Sequence, residues 1–176
     1  MKDFNQERFM ELYGKVRQWA IDRNLHLGAT FDNQVCKLWE EFGELMLGHN
    51  KKKNDLIIDS IGDIIVVDIV LNTICEFSLD PDLSRDSPNI NSDDWELPET
   101  PEEAVLAIPE LFLAEREDGT FYNFNWILEG ACHYAKVIGL DPVDCLEHSY
   151  NEIKDRKGMM INGKFVKEED LVKVAN

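Results

Sequence analysis

Residues 54–77 read NDLIIDSIGDIIVVDIVLNTICEF. Leu56, Ile57, Ile61, Ile64, Ile65, Val66, Val67, Ile69, Val70 and Leu71 fall on nearly every side of a helical wheel. Such all-round apolarity marks a helix enclosed by others. Its β-branched residues favour strands in isolation. The stretch is nevertheless too long and too free of turn residues for a strand, so the periodicity predicts a buried central helix.

Working outward, residues 4–23 carry Phe9, Leu12, Tyr13, Val16, Trp19 and Ala20 at spacings of three and four, an amphipathic helix. A loop through Gly28 follows. Thr30 or Asp32 can cap a second helix running to about Gly48, with Val35, Leu38, Trp39, Phe42, Leu45 and Met46 inward. Downstream, Pro-Glu-Glu at Pro101 suggests a short helix, and a longer one covers about 121–137 with its stop at Gly139. Asp141-Pro142 starts another that ends near Gly158. In the tail, Asn162-Gly163 sits between Met-Met-Ile and Lys-Phe-Val, a hairpin signal. The expected fold is all-α: one domain over 1–176, a bundle of four main helices with a small C-terminal β-hairpin and tail over 159–176.

The 176 residues hold 35 acidic and 18 basic side chains, a formal net charge of −17. That argues against a dedicated nucleic-acid binder, which needs a basic footprint. The run Ile64–Leu71 is broken by Asp68 and too short to span a bilayer. The N-terminus, MKDFNQERFM, lacks the basic and apolar regions of a secretory signal. Cys36, Cys75, Cys132 and Cys145 are scattered without a CxxC pair and read as reduced, mostly buried thiols of a cytoplasmic protein. The acidity concentrates between Leu79 and Asp118, where thirteen carboxylates face only Arg85 and Arg116 and five of the six prolines fall. This 80–120 stretch reads as a solvated insert.

Two acidic pairs stand out. Glu41 and Glu44 share one face of the second helix, with Glu40 one turn behind Glu44, and Asp59 and Asp63 share a face of the third. Either pair alone is also what a solvated face looks like. Both, however, are set among large apolar residues, where carboxylates are rare unless paired or bound to a cation. Helices packed through their apolar sides would bring the four together, and a hard divalent cation such as Mg²⁺ or Mn²⁺ would relieve their repulsion. Near the end of the last helix, Lys154, Arg156 and Lys157 place three cations within four residues. They suit the negative end of the helix dipole, or a phosphate clamp with Arg156 as the fork.

The run Lys37-Leu-Trp-Glu-Glu-Phe-Gly-Glu-Leu, followed by Asp59-Ser-Ile-Gly-Asp63, resembles the MazG-like nucleoside triphosphate pyrophosphohydrolases, an all-α superfamily with EExxE on one helix and ExxD on the next. The segment Tyr150–Val166 is similar to the C-terminal portion of its short phage-type members. The resemblance covers roughly 8–77 and 122–168. It implies Mg²⁺-dependent hydrolysis of a nucleoside or deoxynucleoside triphosphate to monophosphate and pyrophosphate by a homodimer or homotetramer. It further implies Glu41, Glu44 and Asp63 as metal ligands and Glu40 as the residue that positions or deprotonates water. Lys154 and Arg156 would meet the phosphates, Asn151 the substrate, and Gln34 and Lys37 the border of the pocket. Where the motif has its second-helix glutamate, this chain has Ser60, and Asp59 is the substitute. Trp19, Phe9 and Trp39 are the aromatic residues available as a wall for the base. The four histidines receive no role.

Two other functions fit the same residues. One is a catalytically idle metal- or nucleotide-binding bundle, with Ser60 marking lost activity. The other is an acidic interaction protein that binds a basic partner through 79–118. The expected location is the cytoplasm, that of the host if a phage encodes the chain.

Overall fold

The fold is built around the apolar segment just quoted. In the computed structural model, which describes residues 4–74, 98–117 and 125–170, that segment is helix α4 (Asn54–Ile74). Ile61, Ile64, Ile65, Ile69 and Leu71 are wholly buried, each stabilising the fold by roughly 1.5–3 kcal/mol. Helix α1 (Gln6–Asp22), the one-turn α2 (Leu25–Gly28) and α3 (Phe31–Lys51) precede it. Helices α5 (Pro101–Glu117), α6 (Asn125–Val137) and α7 (Pro142–Ile153) follow, then β1 (Gly158–Ile161) and β2 (Lys164–Lys167). α4 packs most extensively on α3 and then on α7, with α6 and α1 completing its enclosure. The described residues are thus all-α with one small antiparallel hairpin.

Local chemistry sets the boundaries. Asn5 caps α1 by accepting from the Arg8 N–H, and Thr30 caps α3 by accepting from Asn33 at 3.3 Å. Asp141 caps α7 by accepting from Val143 at 2.9 Å, ahead of Pro142 in the first turn. In the hairpin Met159 pairs with Val166 and Ile161 with Lys164. Asn162 and Gly163 form its turn with φ of 49° and 79°, the left-handed pair that an Asn-Gly turn supplies.

Four details depart from the expectations. The loop before Gly28 contains α2, a single turn that buries Leu25 after Asn24 takes a left-handed conformation. α5 is a 17-residue helix with Pro109 inside it rather than a short one. Ala104, Val105, Ile108, Leu111 and Phe112 of this helix are buried and its main partner is α6, so this part of the acidic stretch is core and not solvated insert. α7 stops at Ile153 instead of near Gly158, because the carbonyls of Lys154 and Arg156 are bound by the Arg23 side chain. The expected end of the α4 helix at 75–77 and start of the α6 helix at 121–124, the 80–97 and 118–120 parts of the acidic stretch, Cys75 and the 171–176 tail lie outside the described residues.

Candidate active-site cleft

α3 and α4 carry the two acidic pairs, and a cleft of about 350 Å³ opens beside them. Gln34, Lys37, Glu40 and Glu41 reach it from α3, Asp63 from α4 and Arg156 from the segment after α7. Glu41 is only 2% exposed. Its carboxylate is paired with the Lys37 ammonium one helical turn earlier, and Lys37 also lies 3.4 Å from Glu40. Burial pushes the Glu41 carboxyl up, the hydrogen bond from Lys37 opposes that, and repulsion from Asp63 and Glu44 adds to it. Burial likewise raises Asp63, with the nearby Ser149 hydroxyl opposing it and repulsion from Asp59 adding to it. Burial disfavours the Lys37 charge, but the neighbouring Glu41 carboxylate outweighs it and holds the ammonium above its ordinary value.

The crossing of α4 and α7 fixes Asp63. Gly62 abuts α7 so closely that a Cβ there would lie 2.2 Å from Ser149 Oγ and 2.3 Å from the Cys145 carbonyl. Across this contact the buried Ser149 hydroxyl donates to the Asp59 carbonyl at 3.3 Å. Glu44 is half-buried and acts on the site through its charge on Glu41 rather than by lining the cleft.

Asn151 and Lys154 are exposed and bonded to each other, Lys154 Nζ to Asn151 Oδ1 at 2.8 Å, away from the cleft lining. Asp59 is also outside that lining. It is half-buried at the α4–α7 seam, with His148 Nε2 3.7 Å from its Oδ1. Ser60 is fully buried, and among the described residues its hydroxyl has no hydrogen-bond partner. Of the three aromatic candidates, Trp19 lines the cleft together with Phe165, their rings 6.1 Å apart. Phe9 is core at 1% exposure, and Trp39 instead stacks edge-on against Phe42 and Phe112 in a separate groove.

Sequence reasoning missed Arg23. Its guanidinium donates to the carbonyls of Arg156 at 2.8 Å and Lys154 at 3.0 Å while lying 4.9 Å over the Trp19 ring. It therefore ties the cationic segment to the aromatic side of the cleft. Asn33 does the same for the hairpin by donating to the Gly163 carbonyl at 3.1 Å. His49 pairs with Tyr134 and His133 with the Pro98 carbonyl. A larger cavity of about 580 Å³ beside Phe4 and Lys136 contains neither buried carboxylate of the acidic motifs.

The donor set suits a hard divalent ion. Two carboxylates are held from adjacent helices in a cleft where burial and repulsion from neighbouring carboxylates both disfavour their charge, and a cation reverses both penalties. No described helix is long and apolar enough to cross a membrane.

A 61-residue stretch is 51% identical to an uncharacterized 18.2 kDa protein in the rep-hol intergenic region of Haemophilus phage HP1 (strain HP1c1). That stretch is 35% of this chain and 37% of the phage protein, so the match spans little more than a third of that relative. No family model matches the chain. No solved structure matches it.

Proposed function

We propose that this chain is a Mg²⁺-dependent pyrophosphohydrolase that converts deoxynucleoside or nucleoside triphosphates to monophosphate and pyrophosphate. The observation that carries this reading is the meeting of Glu41 and Asp63, from different helices, with Lys37 and Arg156 in one cleft. Buried carboxylates opposite cations are the usual equipment for polyphosphate cleavage, and the cleft volume lies in the range of small-molecule sites. The resemblance of the EExxE and Asp59–Asp63 runs supports the same class.

Glu41 and Asp63, with Glu44 behind them, would hold Mg²⁺ (or Mn²⁺), which supplies charge neutralisation for the triphosphate and polarisation of its bridging oxygens. Arg156 and Lys37 receive the phosphate charge, the first as a bidentate fork and the second as a point charge. Lys37 pairs with Glu41 when phosphate is absent and is free to turn to phosphate when the carboxylate has another cation. Glu40, exposed at the rim, takes a proton from the attacking water. The water oxygen bonds to the α-phosphorus, the bond from Pα to the α–β bridging oxygen breaks, and pyrophosphate leaves with that oxygen. Trp19 and Phe165 offer the base an apolar side. Assembly as a homodimer or homotetramer belongs to the same proposal.

One observation favours a binder without turnover: position 60, where the motif has glutamate, is a fully buried serine. The two readings separate in a panel of the eight common NTPs and dNTPs with Mg²⁺, resolving pyrophosphate from orthophosphate. Pyrophosphate release that Glu41→Ala abolishes supports the enzyme. Nucleotide binding with no product supports the binder.

A further inference from the structure

Asp59 turns from the cleft toward α7, where two side chains that the cleft does not use await it. His148 and Glu152 are one helical turn apart on α7 and project on the same side. His148 Nε2 lies 3.7 Å from Asp59 Oδ1 and 3.9 Å from Glu152 Oε1. The three donor atoms all lie within 4.8 Å of one another. The grouping spans two helices whose separation is fixed by the Gly62 contact with Ser149 and Cys145. It is thus held by the core rather than by loops.

We propose that Asp59, His148 and Glu152 form a second cation site, distinct from the cleft and selective for a borderline divalent transition metal such as Zn²⁺ over Mg²⁺. The reasoning is chemical. One imidazole nitrogen facing two carboxylate oxygens is a mixed N/O set that Zn²⁺ accepts, whereas Mg²⁺ prefers oxygen and retained water. Donors bound at about 2.0–2.2 Å around a tetrahedral ion stand roughly 3.4 Å apart. The observed separations therefore close by small side-chain rotations. His148 and Glu152 are exposed and Asp59 is half-buried, so the remaining position is open to water, as in sites with three protein ligands. The site also gives Asp59 a place in this chain, where Ser60 stands at the motif's glutamate position. It rests on the packing of α4 and α7 and not on the proposed hydrolysis.

The test is calorimetric titration of the untagged, metal-free full chain with Zn²⁺ and, separately, with Mg²⁺. Variants are His148→Gln, Glu152→Gln and Glu41→Gln, each checked for native helicity. The proposal expects a Zn²⁺ site weakened at least about tenfold by His148→Gln and by Glu152→Gln, since losing even a residue that only supports a ligand costs about 10–100-fold, and unchanged by Glu41→Gln. Absence of Zn²⁺ binding overturns the proposal, as does binding indifferent to His148→Gln or lost with Glu41→Gln. Because Glu41→Gln disables the cleft and spares this site, failure of one reading is distinguishable from failure of the other.

Discussion

The ammonium of Lys37 sits on the carboxylate of Glu41, one turn further along α3, and that carboxylate is 2% exposed. A buried anion opposite a half-exposed cation is stable only while it keeps a partner. Lys37→Met should therefore destabilise the metal-free protein by about 1–2 kcal/mol. That is less than the loss for a fully buried pair, because Lys37 is 45% exposed. Saturating Mg²⁺ should restore most of the loss. Chemical denaturation with and without the ion measures both effects, and an unchanged midpoint for Lys37→Met would contradict the pairing.

The carboxyls of Glu41, Asp59 and Asp63 are all raised, in each case chiefly by burial. A group whose folded pKa lies above its unfolded value binds its proton more tightly when folded. Unfolding then releases protons, and stability falls as pH rises through the interval between the two values. With unfolded carboxyls near about 4, the metal-free chain should melt higher at about pH 4 than at about pH 7.5. Asp63→Asn should flatten this slope, and Mg²⁺ should raise the melting temperature more at the higher pH. A slope that Asp63→Asn leaves unaltered would show that the general acidity of the chain, and not the cleft, produces it.

How much of this was legible beforehand varies by residue. α4 could be read because its apolar residues leave no polar stripe, and the hairpin because Asn162-Gly163 supplies two left-handed residues in a row. Glu41 and Asp63 stood out because charge is costly among large apolar neighbours. Arg23 could not be read. Its partners are the carbonyls of Lys154 and Arg156, more than a hundred residues away, and nothing local distinguishes it from a surface arginine. His148 escaped for a related reason, since its relation to Asp59 exists only once α4 and α7 cross at Gly62. The helical course of α5 was masked by Pro109 and by acidic neighbours that face away from its buried side.

Gly62→Ala should test that crossing. A methyl group has no room between α4 and α7, so the helices must part or shift. Overpacking of this kind costs about 1–3 kcal/mol, which for a chain of this size lowers the melting temperature by roughly 2–4 °C per kcal/mol. Because Asp63 is the next residue, turnover should fall with stability. A variant as stable and active as the parent would mean that the helices are not in contact there.

Arg23 and Arg156 should separate in steady-state kinetics. On the proposed hydrolysis, Arg156→Ala removes a group that would meet the transferring charge and should lower kcat by about 10²–10³-fold. Arg23→Gln only loosens the segment that carries Arg156, so KM should rise by about tenfold with kcat changed far less, a difference of about 1.4 kcal/mol. Arg23→Lys should fail to rescue, since one ammonium cannot reproduce a fork directed at two carbonyls. Full rescue by lysine would reduce Arg23 to a simple counter-charge.

The most direct measurement of the central claim is hydrolysis of the preferred triphosphate in ¹⁸O-labelled water with Mg²⁺, followed by mass analysis of each product. Attack at the α-phosphorus within the Glu41–Asp63 cleft predicts one labelled oxygen in the nucleoside monophosphate and none in pyrophosphate. Label in pyrophosphate or in orthophosphate would place the attack elsewhere on the chain of phosphates and contradict the account.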